Sequence, residues 1–196
     1  MVHLENVPKD SLPIITNSFV SRLRSHAGKR RVPLGARVTF GNSFARWMLG
    51  VDKITSLKGS ESPDLLDLCE PLESWHHQIR VDRKAVAFLH GRSTDSAQCA
   101  LFDSEVYARR IDEALKQIKK NAGGDALVRL LEVPAHHVVA LWIVDEKLGT
   151  SHVRLIDAPF KFDPTILRSR DFLQTLRNRA PIIGIHAKTP KKPEKT

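Results

Sequence analysis

The feature that most constrains the fold is the stretch Leu130 to Asp145, "LLEVPAHHVVALWIVD". From Val138 to Val144 every residue is apolar, so both alternating sets of side chains are apolar. Successive side chains of a strand point to opposite faces, and a strand that is apolar on both is covered on both. We therefore predict that this stretch is the central strand of a sheet. His136 and His137 would lie at its entrance and point in opposite directions.

Other segments of the chain show the spacing of amphipathic helices, with apolar residues recurring every three or four positions. The clearest helix is capped by Asp103 or Ser104, runs to Asn121 and stops at Gly123. Another would begin with Ser62 as its cap, and the last with Ser169. The predicted helices cover residues 11–28, 43–49, 62–69, 104–121 and 169–179.

Alternating patterns predict six strands. Trp75 to Val81 and Lys84 to Gly91 are separated only by Asp82 and Arg83, which predicts a hairpin. The other predicted strands cover residues 97–102, 126–133, 136–144 and 151–157.

This order of elements predicts a single α+β domain. We expect a largely antiparallel sheet of about five to six strands with helices packed on one face, plus a helical N-terminal segment. The expected organisation is a helical segment with a basic loop over residues 1–60, an α+β core over 61–181 and a disordered basic tail over 182–196.

Composition narrows the setting and the cofactors. The two cysteines, Cys69 and Cys99, are too few for a disulfide framework and match no zinc-ligand spacing, so we expect a reducing, cytoplasmic setting. The N-terminus lacks the apolar core of a signal peptide, and the longest apolar run, "VVALWIV", is too short for a bilayer, so we expect neither secretion nor membrane insertion. A chain of 196 residues buries an adequate core unaided, so we expect no cofactor or metal.

The positive charge is concentrated in two places. Arg22 to Arg31, "RLRSHAGKRR", which we call the basic segment, contributes +5 of the formal net charge of +9, and residues 185–196 contribute +3. The rest of the chain is nearly neutral. Clustered basic residues can neutralise phosphates or an acidic protein surface. The candidate binding residues are Arg22, Arg24, Lys29, Arg30 and Arg31.

The paired histidines are the candidates for catalysis or metal binding. Neighbours on a strand point apart, so a shared site needs one member of His76/His77 and one of His136/His137. No HExxH, GxSxG or phosphate-binding glycine motif accompanies them. Further ligands of such a site would be drawn from His90, His152, Asp145 and Asp157.

Three functional hypotheses follow. The first is a non-enzymatic binding protein that engages an acidic partner, protein or nucleic acid, through the basic segment. The second is a hydrolytic enzyme using His77 and His136 or His137 with Asp145 or Asp157. The third is a DNA-binding protein, although no helix-turn-helix pattern with a basic recognition helix is present. Exposed edge strands would also permit a homodimer.

Overall fold

The structure, a computed structural model, describes residues 2–5, 7–8, 13–15, 17–26, 33, 35–57, 63–92, 99–102, 104–121, 125–161, 165–179 and 181. The predicted tail, 182–196, lies outside them. None of the helices in these ranges combines the length and hydropathy needed to cross a bilayer. The elements are β1 (Val2–Leu4), α1 (Asn17–His26), β2 (Val38–Met48), α2 (Val51–Ser56), β3 (Glu70–Val81), β4 (Lys84–Gly91), β5 (Ala100–Phe102), α3 (Glu105–Asn121), β6 (Ala126–Val133), β7 (Val138–Asp145), β8 (Thr150–Asp157), β9 (Ile166–Arg168) and α4 (Ser169–Arg177).

All the strands belong to one sheet of nine, in the order β5-β4-β3-β2-β6-β7-β8-β9. Neighbours are antiparallel except β2 and β6, which are parallel. The remaining strand, β1, also runs parallel to β6 and pairs with it beside the end of β2. The predicted α+β class and the largely antiparallel sheet are confirmed, and the sheet has more strands than the five to six predicted.

The sheet consists of two halves with the same order of strands, each followed by a helix. Strands β2 to β5 are followed by α3, and strands β6 to β9 are followed by α4. The two leading strands, β2 and β6, lie side by side and parallel at the centre, and each half extends outward from there. A twofold axis along the strands relates such halves, and it exchanges the two faces of the sheet.

The helices accordingly cover both faces. On β7, Trp142 packs in one cluster with Phe172 of α4, whereas Leu141 packs in another with Ile111 and Leu115 of α3. Because adjacent residues of a strand face opposite ways, α3 and α4 lie on opposite faces. The predicted packing of helices on one face is therefore wrong. Helices on one face only are incompatible with β7, because a strand that is apolar on both faces has to be covered on both.

The helix α1 covers the N-terminal half on the face opposite α3. Its buried Phe19 and Leu23 pack with Ile79 of β3, while the neighbouring Gln78 donates to Ala108 of α3. The predicted amphipathic helix is present over a shorter range, Asn17–His26. The predicted helical N-terminal segment is wrong as a whole, because β1 and β2 also lie within residues 1–60.

The predicted helix over residues 43–49 is wrong, because these residues belong mainly to β2. The pairing of β2 with β3 shifts register between Phe40 and Ser43 and again between Ala45 and Trp47. Each shift breaks the two-residue alternation that identifies a strand in a sequence. The apolar residues Phe44, Trp47 and Met48 are then spaced as on one side of a helix.

The predicted helix over residues 62–69 is in the described part only a 3₁₀ turn, Leu65–Asp67. Asp64 caps it by accepting a hydrogen bond from the Leu66 amide at 3.1 Å. The next strand starts at Glu70, which leaves no room for a longer helix. Two short strands, β1 and β9, were not predicted.

Most other predictions of secondary structure are confirmed. The hairpin of β3 and β4, the long helix α3, and the strands β6 and β8 lie where the sequence places them. The predicted strand over residues 136–144 begins only at Val138, because His136 belongs to a 3₁₀ turn and His137 has a left-handed φ of 51°, so the two histidines do not lie on the strand. Pro134 ends β6 and begins a 3₁₀ turn that extends to His136 and leads into β7.

Candidate functional site

The two histidine pairs lie far apart in the sheet. Glu70 of β3 and Glu132 of β6 are level with each other, because both pair with Met48. His77 pairs with Ser43, which precedes Met48 by five positions on β2, so His77 lies roughly 17 Å away along the sheet at about 3.3 Å per residue. His136 lies beyond the end of β6, in the opposite direction. No member of one pair therefore meets a member of the other.

The two aspartates from which the hydrolytic hypothesis draws one lie at opposite ends of the β7–β8 hairpin. Asp145 ends β7 and accepts hydrogen bonds from the amides of Lys147 and Leu148, both at 3.1 Å, so it shapes the turn. Asp157 lies at the far end of β8 and forms an ion pair of 3.2 Å with Arg110. The described residues thus do not form the site that this hypothesis needs.

One histidine does meet another. His76 lies on the α3 side of β3, and its Nδ1 is 2.8 Å from Nε2 of His90, its partner across the hairpin. The His76 ring also stacks on Phe88 at 4.6 Å between centroids. Burial lowers the pKa of His76 well below its usual value, and burial lowers that of His90 to about 3. Both imidazoles are therefore neutral at neutral pH.

The shared hydrogen bond favours one tautomer of each ring. The Nε2 atom of His76 is buried and has no hydrogen-bond partner among the described residues. An unpaired buried N–H is rarer in proteins than an unpaired acceptor. We therefore assign the proton of His76 to Nδ1, which donates to Nε2 of His90. The proton of His90 is then on its own Nδ1.

An ion pair borders the two imidazoles. Arg46 donates through Nε and Nη2 to the two carboxylate oxygens of Glu132, at 2.7 and 3.0 Å, and through Nη1 to Ser74 at 3.0 Å. This forked geometry is the strongest that an arginine makes with a carboxylate. Tyr107 lies nearby, and burial raises the pKa of its hydroxyl far above its usual value. The cluster thus consists of neutral rings beside an arginine–glutamate ion pair.

His77, on the other face of β3, contacts a serine. Its Nδ1 is 2.9 Å from Oγ of Ser43, but its Nε2 is buried without a hydrogen-bond partner in the described ranges. In a serine–histidine catalytic arrangement, a third group orients the imidazole through that second nitrogen. Burial lowers the pKa of His77 to about 4. The pair is consequently a packed hydrogen bond and lacks the features of an activated nucleophile.

Neither the cysteines nor the metal-ligating side chains form a reactive centre in the described part of the chain. Both cysteines are buried and free of disulfides. Burial and the nearby Asp64 raise the pKa of Cys69 to about 12, so its thiol stays protonated. Across the described ranges, no three side chains of histidine, cysteine, aspartate or glutamate lie close enough together to hold a metal ion.

Two of the predicted binding residues lie on α1. Arg22 donates through Nη2 to the carbonyl of Cys99 at 3.2 Å, and its guanidinium lies 5.7 Å from the ring of Phe19. Arg22 thus helps to fix α1 to the sheet. Arg24 is half-buried on the same helix. The other three residues, Lys29, Arg30 and Arg31, lie outside the described part of the chain.

A second basic surface lies at the turn between β3 and β4, and it was not predicted. Arg37, Arg83 and Lys84 are exposed there, and we call them the turn surface. The amide of Arg37 donates to the Asp82 carboxylate at 3.0 Å, and the Asp82 amide donates back to the Arg37 carbonyl at 3.0 Å. A cleft of about 380 Å³ opens here, lined by Arg37, Thr39, Asp82 and Arg83.

The turn surface depends on pairing that the sequence pattern concealed. Arg37 comes beside the hairpin turn because Val38 pairs with Val81, at the start of β2. Since β2 was predicted in part as a helix, that pairing was not expected. The available signal was Arg37 itself, a further basic residue six positions beyond Arg31.

Comparisons with known proteins give no relative. No protein-family model matches the chain, and neither the curated proteins nor the solved structures compared with it show significant similarity.

Proposed function

We propose that this protein is a non-enzymatic binding protein that engages an acidic partner, protein or nucleic acid, through the basic segment and the turn surface together. The observation that supports the proposal most is the exposure of Arg37, Arg83 and Lys84 at one end of the sheet. Arg37 follows the basic segment by six residues, so the two basic regions are adjacent in the chain.

The charge at the turn surface is uncompensated. Among the described residues, none of Arg37, Arg83 and Lys84 forms an ion pair with a carboxylate, and the one acid in the cleft, Asp82, accepts from the backbone of Arg37. Arg80, nearby on β3, differs from these three residues, because its charge is paired with that of Asp112 at 2.8 Å. Exposed positive charge without an internal partner is suited to attracting an external one.

The binding would be mainly electrostatic. The basic segment has no interleaved aromatic residue on which a base could stack. Affinity for a polyanion would then fall with added salt, because each contact with a phosphate or carboxylate releases a counterion. Arg22 would contribute less than its neighbours in the segment, because it already bonds to Cys99.

The test compares neutralised variants. We expect the Arg30→Ala/Arg31→Ala and Arg37→Ala/Arg83→Ala variants each to bind a labelled duplex DNA or polyglutamate about tenfold more weakly at low salt, with a flatter salt dependence. Lys119→Ala/Lys120→Ala removes the same charge from the exposed end of α3 and serves as the control. Fluorescence anisotropy between low and moderate salt measures both quantities.

The two probes separate the partner classes. Tighter binding of DNA indicates a nucleic acid, and tighter binding of polyglutamate indicates an acidic protein. Unchanged binding by both double variants, or an equal loss in the α3 control, would contradict the proposal, since the charge would then act without regard to its position.

A further inference from the structure

A cleft unrelated to the turn surface lies between α2 and α4, on the face of the sheet opposite α3. Its volume is about 260 Å³. Its floor contains His136, which is only 3% exposed and which the 3₁₀ turn after β6 holds beneath the two helices. The lining residues are Val51, Ile54, Thr55, Leu57, His136, Leu176, Arg177, Arg179 and Pro181.

The lining combines apolar side chains with positive charge. It contains two arginines, Arg177 and Arg179, and no acidic residue. Within the described ranges, neither arginine forms an ion pair with a carboxylate. Arg170, on the same helix, differs in having Asp171 at 3.7 Å. The cleft therefore carries positive charge that nothing in the described part of the chain neutralises.

Both guanidiniums are held in place by other contacts. Arg177 donates through Nη2 to the carbonyl of Leu57 at 3.2 Å, which ties α4 to the end of α2. Arg179 lies 4.0 Å over the ring of Phe160. These contacts fix the positions of the two groups without cancelling their charge, so little side-chain entropy remains to be lost when an anion binds.

We propose that this cleft binds a small organic anion, with a carboxylate or phosphate head between Arg177 and Arg179 and an apolar body against the exposed Val51 and the half-buried Leu57. Guanidinium groups present paired N–H donors that match the oxygens of either head. His136 at the floor offers a further polar contact. The volume lies just below the range of roughly 300–1,000 Å³ typical of ligand sites, which restricts the ligand to a small molecule.

A purely structural role explains only part of this arrangement. Arg177 lies in the last turn of α4, where a positive charge favours the helix dipole. Arg179 lies beyond the helix and is exposed. A hollow that exposes Val51 and has an imidazole at its base is not needed for capping the helix, whereas an amphipathic anion would use the arginines, the apolar side chain and the imidazole.

The experiment titrates the full chain with octanoate and with phenyl phosphate, and with 1-octanol and benzyl alcohol as uncharged counterparts. Binding is followed by calorimetry and by the NMR signals of the His136 ring. We expect at least one anion to bind and to shift those signals, and the alcohols to bind at least about tenfold more weakly. Binding of octanoate alone assigns a carboxylate head, and binding of phenyl phosphate alone assigns a phosphate head.

Variants locate the site. Arg179→Gln changes an exposed side chain and should preserve the fold while weakening anion binding by about fivefold or more. Arg170→Gln removes an equal charge from α4, outside the cleft, and should leave binding unchanged. The proposal is overturned if neither anion binds at about 10 mM, if the alcohols bind as well as the anions, or if Arg179→Gln binds like the unaltered protein.

Discussion

The two halves of the sheet share one order of elements but differ in what they bury beneath their helices. The second strand of each half, β3 or β7, leads into a hairpin turn. Before that turn it presents three alternate residues to the helix of its own half, α3 or α4. In the N-terminal half they contact α3 and are polar, and in the C-terminal half they pack with α4 and are apolar. The first set is His76, Gln78 and Arg80, and the second is Ala140, Trp142 and Val144.

The apolar set mainly contributes stability, whereas the polar set mainly fixes the position of a helix. Apolar side chains gain about 25 cal/mol per Å² on burial and tolerate small changes of position. A buried hydrogen bond adds only about 0.5–1.5 kcal/mol net but requires its partner at a fixed place. Gln78 donates to the Ala108 carbonyl at 3.0 Å, and Arg80 pairs with Asp112, so these residues set the position of α3. We therefore expect the three apolar residues to contribute more of the free energy of folding than the three polar ones.

The largest expected effect comes from the apolar half. Trp142 is fully buried between Trp47 and α4, and Trp142→Ala should lower the free energy of unfolding by about 3–5 kcal/mol, because it leaves a cavity. The matched change at the equivalent position, Gln78→Ala, should cost about 1–3 kcal/mol. Urea unfolding followed by circular dichroism measures both. Equal losses would show that the halves contribute alike.

The polar half should make stability depend on pH. The folded pKa of His90 is lowered from 6.5 to about 3, so the unfolded state binds the proton more tightly. The stability that depends on a neutral His90 is therefore fully present above pH 6.5 and is lost as the pH falls towards 3. Each such imidazole contributes at most about 1.4 kcal/mol per pH unit. When the pH is lowered from 6.5 to 4.5, the free energy of unfolding of His90→Gln should therefore fall by about 2 kcal/mol less than that of the unaltered protein.

Urea unfolding at several pH values measures this dependence. If His90→Gln keeps the pH dependence of the unaltered protein, His90 is not responsible for the loss of stability in acid.

The smallest expected effect distinguishes the two hairpin turns. In the turn between β3 and β4, Asp82 and Arg83 both have positive φ, 48° and 70°, whereas the turn between β7 and β8 places Gly149 at 61°. Glycine adopts this conformation without the steric cost that other residues carry. Arg83→Gly should therefore raise the free energy of unfolding by about 0.5–1 kcal/mol, and Gly149→Ala should lower it by a similar amount. Thermal unfolding measures both changes.

The same Arg83→Gly variant also bears on the proposed function. A gain in stability together with weaker binding of polyanions would show that arginine is kept at this strained position for its charge. A gain in stability with unchanged binding would remove Arg83 from the proposed surface.

Sequence patterns predicted the helices and strands that have a regular local pattern. They failed for strands whose form depends on pairing with residues elsewhere in the sequence. The strand β7 and the helix α3 were identified because an uninterrupted apolar run and a capped helical period are local signals. The strand β2 was missed because its register shifts depend on β3, which lies elsewhere in the sequence. The three-residue strands β1 and β9 are too short to show any period.

The candidate sites were harder to predict than the fold. Opposite orientations of His76 and His77 follow from strand geometry, and the contacts of His76 with α3 and of His77 with Ser43 agree with it. The meeting of His76 with His90 required the register of the hairpin. The cleft beside Arg177 required the packing of α2 on α4, which no local pattern encodes.

The central strand β6 has a consequence for the order in which the chain folds. One of its edges pairs with both β1 and β2, and the contacts of this region join residues as far apart in sequence as Arg46 and Glu132, separated by 86 positions, and Glu5 and Arg129, separated by 124. A ribosome adds about 5–20 residues per second, so β2 emerges roughly 4–17 s before its partner. During that interval the finished hairpin of the N-terminal half has an open inner edge, which a second nascent chain could pair with until β6 is made.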